Sequence, residues 1–117
     1  MGMTAGVMMA ALVVAIAQPP VVRQQLADLA YVLGEAHALA GACGRPGDLR
    51  WRARMNRLLD LEAREPAFRG RLADSFNAGF VARQAEFRSC SAGSREAERA
   101  VAAKGATLAR DLAAAPL

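Results

Sequence analysis

Apolar residues at Val22, Leu26, Leu29, Leu33, Ala36 and Ala40 are separated by four, three, four, three and four positions. That alternation follows the turn of an α-helix, whereas a strand turns every second residue to the same face. The spacing predicts a first helix from about Val21 to Ala40, after an extended Pro19-Pro20 lead. It is expected to stop in Gly41-Ala42-Cys43-Gly44-Arg45-Pro46-Gly47, where glycine admits left-handed backbone angles and Pro46 cannot continue a helix. Asp48 then stands where a side-chain oxygen can cap the next helix.

The same period recurs downstream. A second helix over about Leu49 to Ala63 places Trp51, Met55, Leu58 and Leu59 on its buried side, with Arg50, Arg54 and Arg57 along a neighbouring stripe. Arg64-Glu65-Pro66 ends it, and Pro66 suits the first turn of a third helix. Phe68, Leu72, Phe76, Phe80 and Phe87 form one broad apolar face there. Gly79 allows another helix to approach closely, against a loss of helix propensity of about 1 kcal/mol. The stretch Ser89 to Ser94 reads as a turn, with a fourth helix beginning after Ser94, Glu96 and Glu98 near its positive end and Arg110 toward the other. Its apolar positions, Ala97, Val101, Leu108 and Leu112, include few large anchors, so it is expected to be the least firmly packed element. The fold class is therefore all-α, a small bundle of about four helices. Residues 18–117 suffice for a single domain with one core but not for two.

Residues 1–17 are read apart from this domain. Ala5 to Ala17 carry no charge and end in Ala15-Ile16-Ala17, a small-x-small site followed by Gln18-Pro19-Pro20. This is the outline of a secretory signal peptide, although Met1-Gly2-Met3-Thr4 lacks Lys and Arg. The apolar run is shorter than the ~20 residues of a spanning helix. Cleavage after Ala17 and a periplasmic or secreted location are expected; the alternative is a retained N-terminal membrane anchor.

Export changes the meaning of the two cysteines, Cys43 and Cys90, because an oxidising compartment favours their pairing. The competing readings, a metal pair or redox thiols, lack a C-x-x-C spacing and have only one histidine to draw on, His37. Cys43 follows the first helix and Cys90 the third, so parallel alignment of those helices would bring both to one end of the bundle. The net charge of +4 arises from fourteen arginines and one lysine, Lys104, against eleven acidic residues, and all of these charges follow Val22. For an exported chain, an anionic lipid, a cell-wall polymer or an acidic envelope protein is the expected counterpart, and nucleic acid is not.

One set of segments resembles a known family. Leu26-Ala27-Asp28-Leu29-Ala30-Tyr31-Val32-Leu33-Gly34-Glu35-Ala36-His37, Ala42-Cys43-Gly44, Trp51-Arg52-Ala53-Arg54-Met55, Phe76-Asn77-Ala78-Gly79-Phe80 and Ser89-Cys90 are similar to an uncharacterised family of small secreted alphaproteobacterial proteins, a domain of unknown function. The resemblance runs from about Leu26 to Leu112. It implies a two-cysteine secreted protein in a bacterial envelope setting, and it carries no catalytic residues onto this chain.

An imidazole near neutral pH can act as acid, base or ligand, but His37 has no carboxylate at its helical neighbours Leu33 and Gly41. The serines lie in no nucleophile-elbow pattern, and Asp60 with Glu62, or Glu96 with Glu98, point to different sides of a helix. No phosphate-cradling glycine loop or zinc-ligand spacing occurs. The expectation is a non-catalytic protein without metal or cofactor, acting as an interaction or accessory module of the cell envelope. Its candidate binding face is Arg50, Trp51, Arg54 and Arg57 with Tyr31. The alternative is a small-ligand carrier or minor enzyme with a pocket near His37 and Asn77.

Overall fold

A computed structural model describes residues 18–45 and 48–114. The signal-peptide reading, the Pro46-Gly47 helix stop and the last three residues lie outside these. Four helices follow one another: α1 (Pro20–Ala42), α2 (Arg50–Glu62), α3 (Pro66–Glu86) and α4 (Ala92–Ala114). Among the described residues there is no strand. No helix among them is long and apolar enough to cross a membrane.

Helix α1 is the axis on which the other three pack. It starts with Pro20 in its first turn, where a missing N–H leaves no bond unmade, and ends where Gly44 takes a φ of 63°. The periodicity predicts one buried face, but the structure buries much more of its circumference. Ala27, Ala30, Val32, Gly34, Glu35 and Ala38 are enclosed along with Leu26, Leu33, Ala36, Leu39 and Ala40. The physical reason is size: alanine and glycine contribute little apolar signal, yet they let three helices close around a fourth.

The closest approach is between α1 and α3. Gly34 and Gly79 lie at this crossing, and a methyl group on Gly34 would overlap the Phe76 carbonyl, one on Gly79 that of Tyr31. The expected role of Gly79 is thus met, and Gly34 is its counterpart on α1. The two helices run parallel, since Arg23 stacks on Phe68 near one end while Glu35 pairs with Arg83 farther along. Parallel alignment brings Cys43 and Cys90 together in a disulfide, with Cα atoms 4.2 Å apart, just below the usual spacing of about 4.4–6.8 Å.

Helix α2 returns antiparallel to α1 and buries Trp51, Met55 and Leu59. Helix α4 also returns, with Gly105 against Val32. It begins at Ala92, not after Ser94. The Ser91 N–H donates to Ser94 Oγ at 2.9 Å, and the Ser94 N–H donates to Ser91 Oγ at 3.0 Å. This reciprocal cap satisfies donors that a helix start otherwise leaves open, so Ser94 is inside the first turn and fully buried. Of the rest of α4 only Val101 is as deeply enclosed, in keeping with an element short of large anchors.

One ionic contact stiffens the α1–α3 pair. Arg83 Nε donates to Glu35 Oε2 at 2.7 Å and Nη1 to Glu86 at 3.0 Å, while the Glu35 side chain is only 8% exposed. Burial disfavours the charged Arg83 guanidinium, but the hydrogen bond and charge of Glu35, helped by Glu86, outweigh it and hold the proton more firmly than usual.

Candidate functional site

Arg50, Arg54 and Arg57 recur at four and three positions along α2 and so share a face beside Trp51. The Arg54 guanidinium lies 4.7 Å from the Trp51 ring centre and that of Arg50 lies 5.7 Å from it. Their surroundings then diverge. Arg50 is held by Asp48 at 3.2 Å, and the same carboxylate accepts the Arg50 backbone N–H at 3.2 Å; the helix starts one residue later than expected, so Leu49 holds the N-cap position and Asp48 acts from the residue before it. That backbone bond, with the guanidinium groups of Arg50 and Arg45, keeps the Asp48 carboxyl below its ordinary range despite some desolvation. Arg54 and Arg57 make no ion pair among the described residues.

These two arginines line an apolar groove between α2 and α4. Leu29 and Leu33 of α1 contribute to its lining, with Trp51, Leu58 and Leu61 on the α2 side and Ala102, Gly105, Ala106 and Ala109 on the α4 side. It encloses about 370 Å³, and Leu61 is 63% exposed. Large residues on α2 face a seam of small ones on α4, spaced by three, one and three. The paucity of anchors in α4 is therefore what keeps the groove open. Nothing in the α2 periodicity shows this, but the Ala102-Gly105-Ala106-Ala109 spacing was a signal that could have been read.

A second cleft of about 560 Å³ adjoins the groove at the disulfide end, and Trp51 and Ala102 line both. Here Arg45, Arg50, Arg95 and Arg99 surround Cys43, Cys90 and Glu98. Arg45 is paired with Glu98 at 2.5 Å and Arg99 with Glu96 at 2.7 Å, whereas Arg95 has no ion pair among the described residues. Guanidinium forks of this kind bind phosphate or carboxylate. The indole Nε1 of Trp51 is buried and donates to no acceptor among the described residues.

The other sequence candidates fall elsewhere. Tyr31 is exposed, but at 100° per residue it lies nearly opposite Leu29 and Leu33 on α1, so it is not part of the arginine face. His37 is half-buried against Phe80 and Phe76, with ring centres 5.6 and 6.0 Å away. Burial, and then the charge of Arg52, lower its pKa, while Asp48 pulls it up. Asn77 follows Phe76 on α3 and is exposed, so the two residues of the alternative pocket share no enclosed space. Among the described residues no group of three or more His, Cys, Asp or Glu could hold a metal ion, and both cysteines are committed to the disulfide.

No curated protein and no solved structure matches the chain. Residues 22–115 match a family described as "Protein of unknown function (DUF2385)", a span that takes in all four helices but the first two residues of α1. The chain belongs to that family.

Proposed function

We propose that this protein is a non-catalytic binding module of the bacterial cell envelope, and that it engages its partner through the α2–α4 groove. The observation that carries the reading is the pairing of an apolar groove with two arginines, Arg54 and Arg57, that have no counter-charge among the described residues. Side chains that serve only the fold have little reason to combine an unfilled apolar trough with unneutralised charge on its lining. An anionic partner with an apolar part would satisfy both. A disulfide at one end of the bundle supports an exported location, because such bonds persist in oxidising compartments.

Charge reversal tests this directly. In intact cells of the native host, cross-linking followed by affinity capture is expected to recover an envelope component with the unaltered protein. Recovery should be lost with Arg54→Glu/Arg57→Glu, while the melting temperature stays unchanged. Equal recovery with the reversed variant would remove the groove from consideration.

A further inference from the structure

The two adjoining clefts differ in character, and the difference has a polarity. At the disulfide end, four arginines line the cleft with Glu98, and although Asp48 pairs with Arg50 and Glu96 with Arg99, Arg95 has no ion pair among the described residues; beyond Trp51 the lining turns to Leu33, Leu58 and Leu61 facing alanine, with Arg54 and Arg57 on its α2 side. A basic chamber opening into an apolar trough matches an anionic head joined to a hydrocarbon tail. Resting on the binding-module reading and narrowing it, we infer that the site takes a single-chain lipid with a phosphate head. The phosphate is bound by Arg50, Arg95 and Arg99, and the tail runs along the groove toward Leu61.

Size selects this occupant over a helical peptide. From Trp51 to Leu61 the groove follows α2 for ~15 Å. A helix is about 10–12 Å across, so a segment of that length would need on the order of 1,200 Å³ if it were seated in the trough. The groove offers about 370 Å³, so a helix could rest only one face on it. One extended acyl chain, with carbons in contact at about 3.5–4.0 Å, is thin enough to fit. With bonds of about 1.5 Å and angles near 111°, such a chain advances ~1.25 Å per carbon, so ~15 Å accommodates about twelve carbons. A soluble polyanion would use the arginines and leave the leucines uncovered, which disfavours a cell-wall polymer.

Trp51 is the sole tryptophan and lines both clefts, so its fluorescence reports on the junction. The protein, with its disulfide intact, is titrated with octyl, decyl, dodecyl and tetradecyl phosphate below their micelle concentrations, and with inorganic phosphate and dodecanol. The expected result is saturable one-to-one binding that tightens by up to about fourfold per methylene and levels off near twelve carbons. Arg95→Glu/Arg99→Glu should weaken dodecyl phosphate by about tenfold or more, and Ala106→Leu should block the tail with the melting temperature maintained.

Inorganic phosphate binding as tightly as dodecyl phosphate would overturn the proposal, since the groove would then contribute nothing. Dodecanol binding equally well would overturn it too, because the arginines would be idle. So would affinity that keeps climbing past twelve carbons, the mark of adsorption. Any of these failures accompanied by loss of envelope capture in the Arg54→Glu/Arg57→Glu variant would leave the binding module standing with a different partner.

Discussion

Replacing Gly79 with alanine should destabilise this protein, while the same change at Gly70 in the same helix should stabilise it. Both positions lie inside α3, where alanine is the better helix former by about 0.8–1.0 kcal/mol. At Gly70 no atom lies within 4 Å of an added methyl, so that gain is realised almost in full. At Gly79 the methyl would overlap the Tyr31 carbonyl, a backbone atom that no rotamer change can move. Helices α1 and α3 must separate, loosening Leu72 and Phe76 in the core. Overpacking ordinarily costs about 1–3 kcal/mol, and a rigid obstacle puts this site toward the upper end. After the propensity gain, Gly79→Ala is expected to lose about 1–2 kcal/mol, and to fall about 2–3 kcal/mol below Gly70→Ala. For a domain near a hundred residues each kcal/mol moves the melting temperature by roughly 4–8 °C. Urea denaturation of the two variants gives the difference directly. Equal midpoints, or a more stable Gly79→Ala, would refute a backbone-to-backbone contact at this crossing.

Three further outcomes follow from other contacts. Arg83→Ala leaves the enclosed Glu35 carboxylate unpaired and should cost ~2–4 kcal/mol in denaturant titrations, discounted because the Arg83 side chain is itself 26% exposed; a Glu35→Met/Arg83→Met double variant should recover much of the loss. Converting both cysteines to serine frees a loop of 47 residues and should remove ~4 kcal/mol, read as a lower denaturation midpoint that a reductant reproduces in the unaltered protein. His37 has a folded pKa lowered from 6.5, so the unfolded chain binds the extra proton first. The stability it supports is complete above that value and is lost as pH falls through the lower folded pKa; His37→Gln should flatten this segment of the stability profile, and an unaltered slope would count against it.

The parts of the fold that were legible in the chain were those whose signal is local. Alternating three- and four-residue spacings gave the helices, Pro66 opened α3, and the order of Cys43 and Cys90 after two helices led to the parallel pairing. What was missed depends on relations between elements. The enclosure of α1 by three neighbours rests on alanines that hydropathy barely marks, and the Glu35–Arg83 pair joins residues that only the α1–α3 crossing brings together. Helix α4 starts earlier than its composition suggests because Ser91 and Ser94, which resemble turn residues, form a reciprocal cap, the pattern of a serine repeated at the fourth position.

The site shows the same division. Trp51, Arg54 and Arg57 were found by their spacing and do line one groove, with Arg50 displaced to the neighbouring basic cleft. No spacing in the sequence ties Tyr31 to them, and the turn of α1 carries it to the far side. Arg95 and Arg99 escaped notice since their relevance comes from the disulfide, which brings the start of α4 beside the end of α1.

Site-specific photo-cross-linking in cells of the native host tests the groove most directly. A photoreactive residue at Leu61 or Ala106, inside the groove, is compared with one at Tyr31 or Val81, which are exposed elsewhere. Adducts from Leu61 and Ala106 but not from Tyr31 or Val81 are the predicted result. Adducts from Tyr31 or Val81 with none from the groove would contradict the account.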